Sequence, residues 1–178
     1  KVSEGPVRFS EIYDGILFDA NVTPNFAGET ESFDGPFDTL IPQQGEIVRK
    51  QEQLAAATLF VTPKGETVID FGQNLTGYVV TTVDAGKGDI VDLSFAEVMD
   101  RDGNFYTENY RSAKAQYRYT CRGGLQTFEP TLTFWGFRYI RVNQFPGGVG
   151  AVTPEAFRAV VLYSDMTRTG HLNSSDPV

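Results

Sequence analysis

Most of the residues able to do chemistry in this chain are oxygen-bearing. Asp and Glu number 23 in 178 residues, beside one His and one Cys. Two carboxyls flanking a glycosidic bond could serve as acid and base, but no spacing in the sequence singles out such a pair. His171 lies beside turn-like sequence near the end of the chain, a poor place to complete a nucleophilic triad. It reads as a surface or interdomain residue. Cys121 stands alone, which excludes an internal disulfide and a cysteine-rich zinc site. There is no P-loop and no dinucleotide fingerprint. Gly86-Lys87-Gly88 is a turn between two strands.

Two stretches carry oxygens at spacings a hard cation could use. Asp100-Arg101-Asp102-Gly103-Asn104-Phe105-Tyr106-Thr107-Glu108 alternates them as calcium loops do, yet lacks the full calcium-loop spacing and also reads as an ordinary β-turn. Asp19 closes a short apolar run, and Asn74 follows Asp70-Phe71-Gly72-Gln73. Together with a strand carbonyl they could hold Ca²⁺ and leave positions open for a sugar diol. Equally, each could satisfy loop amides as an Asx-turn.

A sugar site needs a flat apolar face beside fixed polar groups. Phe134-Trp135-Gly136-Phe137-Arg138-Tyr139 gathers aromatics and an arginine around a glycine. Glu97 breaks the apolar pattern at a strand end, and Tyr110-Arg111 follows a nearby turn. The candidate sugar contacts are therefore Glu97, Tyr110, Arg111, Trp135 and Arg138, together with Asp19 and Asn74, with core packing as the alternative for the aromatics.

The elements that must position these groups are β-strands. Glycine (18), proline (9) and aromatics (13%) are abundant, and long helical periodicity is absent. Residues 1–45 are turn-rich. Thr58 to Thr62 and Thr67 to Phe71 flank Pro63-Lys64-Gly65 as a hairpin. Gly77 to Val83 reads as a buried strand. Val91, Leu93 and Phe95 face one side of a strand, and Asp92 and Ser94 the other. Asp102-Gly103-Asn104 is a tight-turn signal. Gln116 to Cys121, Phe137 to Val142 and Phe157 to Tyr163 complete nine or ten strands. Lys50 to Ala57 has helical composition but sits between strands, and is read as extended. Pro154-Glu155-Ala156 can open one helical turn. The expectation is an all-β, jelly-roll β-sandwich of antiparallel strands over residues 1–165.

Charge narrows the partners. The net charge of −8 disfavours a nucleic-acid or anionic-lipid surface. A hydrophobic share of 40% supplies a core, and no stretch reaches the roughly 20 apolar residues of a membrane helix. No nucleic acid and no membrane is expected, and the compartment is left open.

The motif Asp70-Phe71-Gly72-Gln73-Asn74-Leu75-Thr76-Gly77 resembles a known family. So do Ala96-Glu97, Asp102-Gly103 followed by Asn109-Tyr110-Arg111-Ser112-Ala113, and Gly136-Phe137-Arg138-Tyr139. In this order they are similar to the β-sandwich region of bacterial α-L-rhamnosidases, glycoside hydrolase family 78. Asp14-Gly15 to Asp19-Ala20 resembles the family's Gly-Glu-x-x-Asp-Ala-Arg element, with Ile16 and Asn21 departing from it. Trp135 stands where the family often has His. Ser164-Asp165 to Asp176 resembles the lead-in to an (α/α)₆ barrel, which implies that 166–178 starts a linker toward that catalytic domain. The resemblance implies a parent that removes α-L-rhamnose by inversion, with its acidic residues in that barrel, and a fragment that is itself not catalytic. It also implies likeness to a family 67 carbohydrate-binding module, which holds L-rhamnose or a rhamnose-containing glycan through Ca²⁺. The implied metal ligands are Asp19, Asn74 and the carbonyl near Val79, with Glu97 as a polar contact. The alternative is a structural domain that supports the barrel. On the binding reading Trp135 would be a wet stacking face beside Asp19 or Asn74; on the scaffold reading it would be dry.

Overall fold

Alternating apolar residues bury one side of a strand, and turn chemistry sets where each strand stops. The computed structural model describes residues 4–25, 28–32 and 34–175. Its strands are β1 (Val7–Glu11), β2 (Gly15–Asp19), β3 (Val48–Ala55), β4 (Thr58–Val61), β5 (Thr67–Ala85) and β6 (Ile90–Ala96). They continue with β7 (Val98–Met99), β8 (Phe105–Tyr106), β9 (Gln116–Thr120), β10 (Gly124–Phe128), β11 (Trp135–Gln144) and β12 (Phe157–Ser164). Among the described residues the helical elements are single 3₁₀ turns, Pro154–Ala156 included. None is long and apolar enough to cross a membrane.

The expected hairpin forms, with Thr58 opposite Asp70 and Val61 opposite Thr67. The segment of helical composition is strand β3, paired with β12 from Ala55–Arg158 to Val48–Ser164. Its polar residues suit an edge strand that no further strand covers.

Ten strands form one sheet in the order β1-β2-β9-β6-β11-β5-β12-β3, with β4 and β10 also on β5. All pairings are antiparallel except β2 with β9. The long β5 divides the sheet into two layers. Its first half runs between β4 and β11, and its second half between β12 and β10. The curled sheet is thus a sandwich, and its core holds Ile69, Val79, Leu93, Phe95, Tyr117 and Phe137.

Between the pairs Phe137–Leu75 and Tyr139–Asp70, β5 advances five residues while β11 advances two. The surplus bulges outward at Gly72, Gln73 and Asn74, all exposed. Gly72 takes φ +83°, and its amide donates to Asp70 Oδ1 at 2.6 Å.

Asp92, on the polar side of β6, is buried at 5% exposed. Its carboxylate accepts from Asn143 Nδ2 at 2.8 Å, Gln116 Nε2 at 3.1 Å and Arg118 at 3.3 Å. These neighbours replace the hydration that burial removes. Asp100-Asp102-Gly103-Asn104 is a β-turn joining β7 to β8, its amides held by Asp100 Oδ1.

Candidate binding site

Strand register decides which candidate residues can meet. Asp19 ends β2 opposite Thr120 of β9, which lies opposite Ile90 at the start of β6. Asn74 lies past the other end of β6, where its Nδ2 donates to Glu97 Oε1 at 3.3 Å. Six residues of β6 separate the two positions, or about 20 Å at strand rise. One cation cannot touch both.

Asp19 is also occupied. Its Oδ1 accepts from the Asn21 amide at 2.9 Å and from Asn21 Nδ2 at 3.0 Å. These bonds hold its carboxyl below the usual range. This is the Asx-turn alternative. Val79 is fully buried in mid-β5 opposite Ala159, away from both. The metal set Asp19, Asn74 and Val79 is therefore corrected: these residues do not fit a shared Ca²⁺ site. Among the described residues, no three His, Cys, Asp or Glu side chains gather as metal ligands.

Trp135 is likewise corrected as an exposed stacking face. It is 4% exposed and stacks on Phe95, with ring centroids 4.1 Å apart at 13°. Its Nε1 is buried without an acceptor. Arg138, a candidate sugar contact, is engaged within the fold. Its Nε and NH2 donate to the two oxygens of Asp70, each at 2.8 Å, and its guanidinium lies over the Tyr139 ring. Burial pushes the Asp70 carboxyl up, but Arg138 and the Gly72 amide outweigh it and hold the carboxyl low. Burial of Glu66 is outweighed in the same way by the Phe105 amide, Arg141 and Thr62.

The remaining candidates do assemble. Glu97 is bracketed by two carboxamides, Asn74 on Oε1 and Asn109 on Oε2 at 3.1 Å. Gly136 packs against it, since a Cβ there would stand 3.2 Å from Glu97 Oε1. Tyr110 donates its hydroxyl to the Gly136 carbonyl at 2.6 Å. Burial, with Glu97 nearby, pushes that phenol well above its ordinary value. Arg111 is exposed beside it with φ +58°.

Tyr110 also walls a surface hollow of about 340 Å³, lined by Ile12, Tyr13, Ala113, Phe134, Trp135 and Gly136. A second hollow of about 450 Å³ shares Tyr13, Tyr110 and Ala113 and adds Glu11, Asp14, Arg111 and Ser112. Glu11 Oε2 accepts from the amides of Tyr13 and Asp14, each at 2.7 Å, which fixes the β1–β2 turn. Lys114 donates to Asp14 at 2.9 Å and holds its carboxyl low. Tyr13 is 69% exposed and Phe134 40% exposed. Nothing in the sequence singles out Tyr13, which reads as part of an Asp-Gly turn. An aromatic placed directly before that turn is the signal that could have found it.

The family model for the bacterial alpha-L-rhamnosidase concanavalin-like domain matches residues 60–163. The chain belongs to that family. Among curated proteins, an alpha-L-rhamnosidase of Formosa agariphila is 32% identical over 97% of this chain and 20% of its own length. One of Streptomyces avermitilis is 35% identical over 83% of this chain and 15% of its own. Among solved structures, the Aspergillus terreus α-L-rhamnosidase matches at TM-score 0.84 and 34% identity, over 98% of this chain and 21% of that one. The Streptomyces avermitilis enzyme complexed with L-rhamnose matches at 0.80 and 30%, over 98% and 18%. The family's domain is thus a β-sandwich here too, and the chain spans a fifth or less of the curated relatives it matches.

Proposed function

We propose that this chain is a non-catalytic accessory domain of an α-L-rhamnosidase, working beside a catalytic part supplied by the rest of that enzyme. A general acid for glycoside cleavage needs a carboxyl whose proton is held near neutral pH. Two part-buried carboxyls of this fold, Asp70 and Glu66, sit under the opposite influence. Cations and amides hold both of them low. The observation that carries the reading is the family match together with the span, which leaves four-fifths or more of each relative outside this chain.

The buried Trp135 and the separation of Asp19 from Asn74 favour the supporting role over the calcium-dependent one. Catalysis then belongs outside residues 1–178. The 178-residue chain should release no 4-nitrophenol from 4-nitrophenyl α-L-rhamnoside, while the full-length enzyme does. Turnover by the chain alone, abolished by a single Asp or Glu substitution within it, would overturn the assignment.

A further inference from the structure

We propose that the twin hollow between the β1–β2 turn and Phe134–Gly136 is a metal-independent carbohydrate site for one pyranose ring. This rests on the accessory role above and adds a ligand to it. The shape suits a small amphipathic ring: an aromatic-lined hollow of about 340 Å³ opens onto a polar one of about 450 Å³. Tyr13 and Phe134 offer exposed rings to a C–H face. The polar hollow is lined by Glu11, Asp14 and Arg111, and Lys114, outside that lining, pairs with Asp14, so the charges gathered there sum to −2 + 2 = 0. A balanced rim selects no ion, yet it offers hydrogen-bond partners to the hydroxyls of a neutral ligand.

The walls are also set in advance, which cuts the entropy cost of binding. Glu11 fixes the turn that carries Tyr13, and Lys114 ties Asp14. The amide of Ala115 donates to the Tyr13 carbonyl at 3.1 Å, and Thr133 Oγ1 donates to the Glu11 carbonyl at 3.3 Å. Among the described residues, three non-glycine residues have positive φ: Arg111 (+58°), Ala115 (+44°) and Leu132 (+66°). Two of them line the hollows and the third is two residues from Phe134. Backbone held in sparsely populated conformations gathers at ligand sites.

Trp135, the only tryptophan, lines the apolar hollow and reports on it. Titrating the 178-residue chain with methyl α-L-rhamnoside should change its intrinsic fluorescence saturably. Tyr13→Ala removes an exposed ring and should weaken binding about tenfold, the value of one lost aromatic face. EDTA and Asp19→Ala should leave the affinity unchanged. No saturable response to rhamnoside, galactoside or glucoside would overturn the site, as would equal binding by Tyr13→Ala. Loss of binding on adding EDTA would overturn its metal independence. If the hollow is instead covered by another part of the enzyme, Tyr13→Asp lowers the Tm of the full-length rhamnosidase and the isolated chain ignores sugars. That outcome also overturns the site, while leaving the accessory role intact. Failure of the accessory role is read separately, from rhamnoside hydrolysis by the chain alone.

Discussion

At the scale of single residues, carboxylates in this chain mostly hold the fold together. Asp70 shows the balance: burial penalises its charge, and a bidentate guanidinium plus one amide more than repay it. Its carboxyl titrates lower folded than unfolded, where the value is about 3.9. The stability it contributes is therefore present above about pH 4 and is lost as pH falls through the lower, folded value. Asp70→Asn should cost about 1–2 kcal/mol at pH 7, discounted because Arg138 is partly exposed. Urea midpoints at pH 7 and pH 2.5 check this. The gap to the parent protein should narrow at the lower pH, and a constant gap would show that charge pairing is not the cause. Types and roles were legible here only in part. The Gly-Phe-Arg-Tyr run marks an arginine worth noticing, but its partner lies 68 residues away, and only strand register brings them together. The same holds for Asp19 and Asn74. Each looks like a ligand in the sequence, and a pairing order invisible there puts β6 between them.

At the scale of elements, most strands were readable because their apolar residues alternate. β6 and β9 follow the expected pattern, and polar neighbours on adjacent strands bury Asp92 on the polar side. β5 was not readable as one element. Its two apolar ends, near 67–71 and 77–83, look like separate strands joined by a polar motif. In the structure that motif is a bulge inside a single strand of 19 residues. Gly77 sits where β5 passes from one layer to the other, with Trp135 on one side and Val161 on the other. A Cβ there would lie 1.9 Å from the Val160 carbonyl oxygen, a backbone atom that cannot swing away. Gly77→Ala should therefore cost about 3 kcal/mol, at the upper end of overpacking effects. Gly65→Ala is a useful contrast. Gly65 has φ +82° but open space around it, so only backbone strain of about 1 kcal/mol is expected. Thermal unfolding of the two variants should separate them clearly, and equal losses would contradict the crowding assigned to position 77.

At the scale of the whole molecule, the sharing of β5 makes the two layers one cooperative unit. Strands β4 and β11 rest on its first half, and β10 and β12 on its second. Neither layer can release β5 without exposing the core of the other, because Ile69, Leu75, Val79 and Val83 all belong to one buried cluster. Local opening that is cheap at loops should be costly here. Two signals can test this independently. Trp135 is stacked on Phe95 in the layer of β6 and β11, so its fluorescence follows that layer. Far-UV circular dichroism reports the strands of both. In urea the two transitions should coincide, with one midpoint and one slope. In Gly77→Ala both should move together to lower urea, although the substitution touches only the crossing point. If the Trp135 signal instead falls while half of the strand signal persists, the layers are separable, and β5 joins them without coupling them.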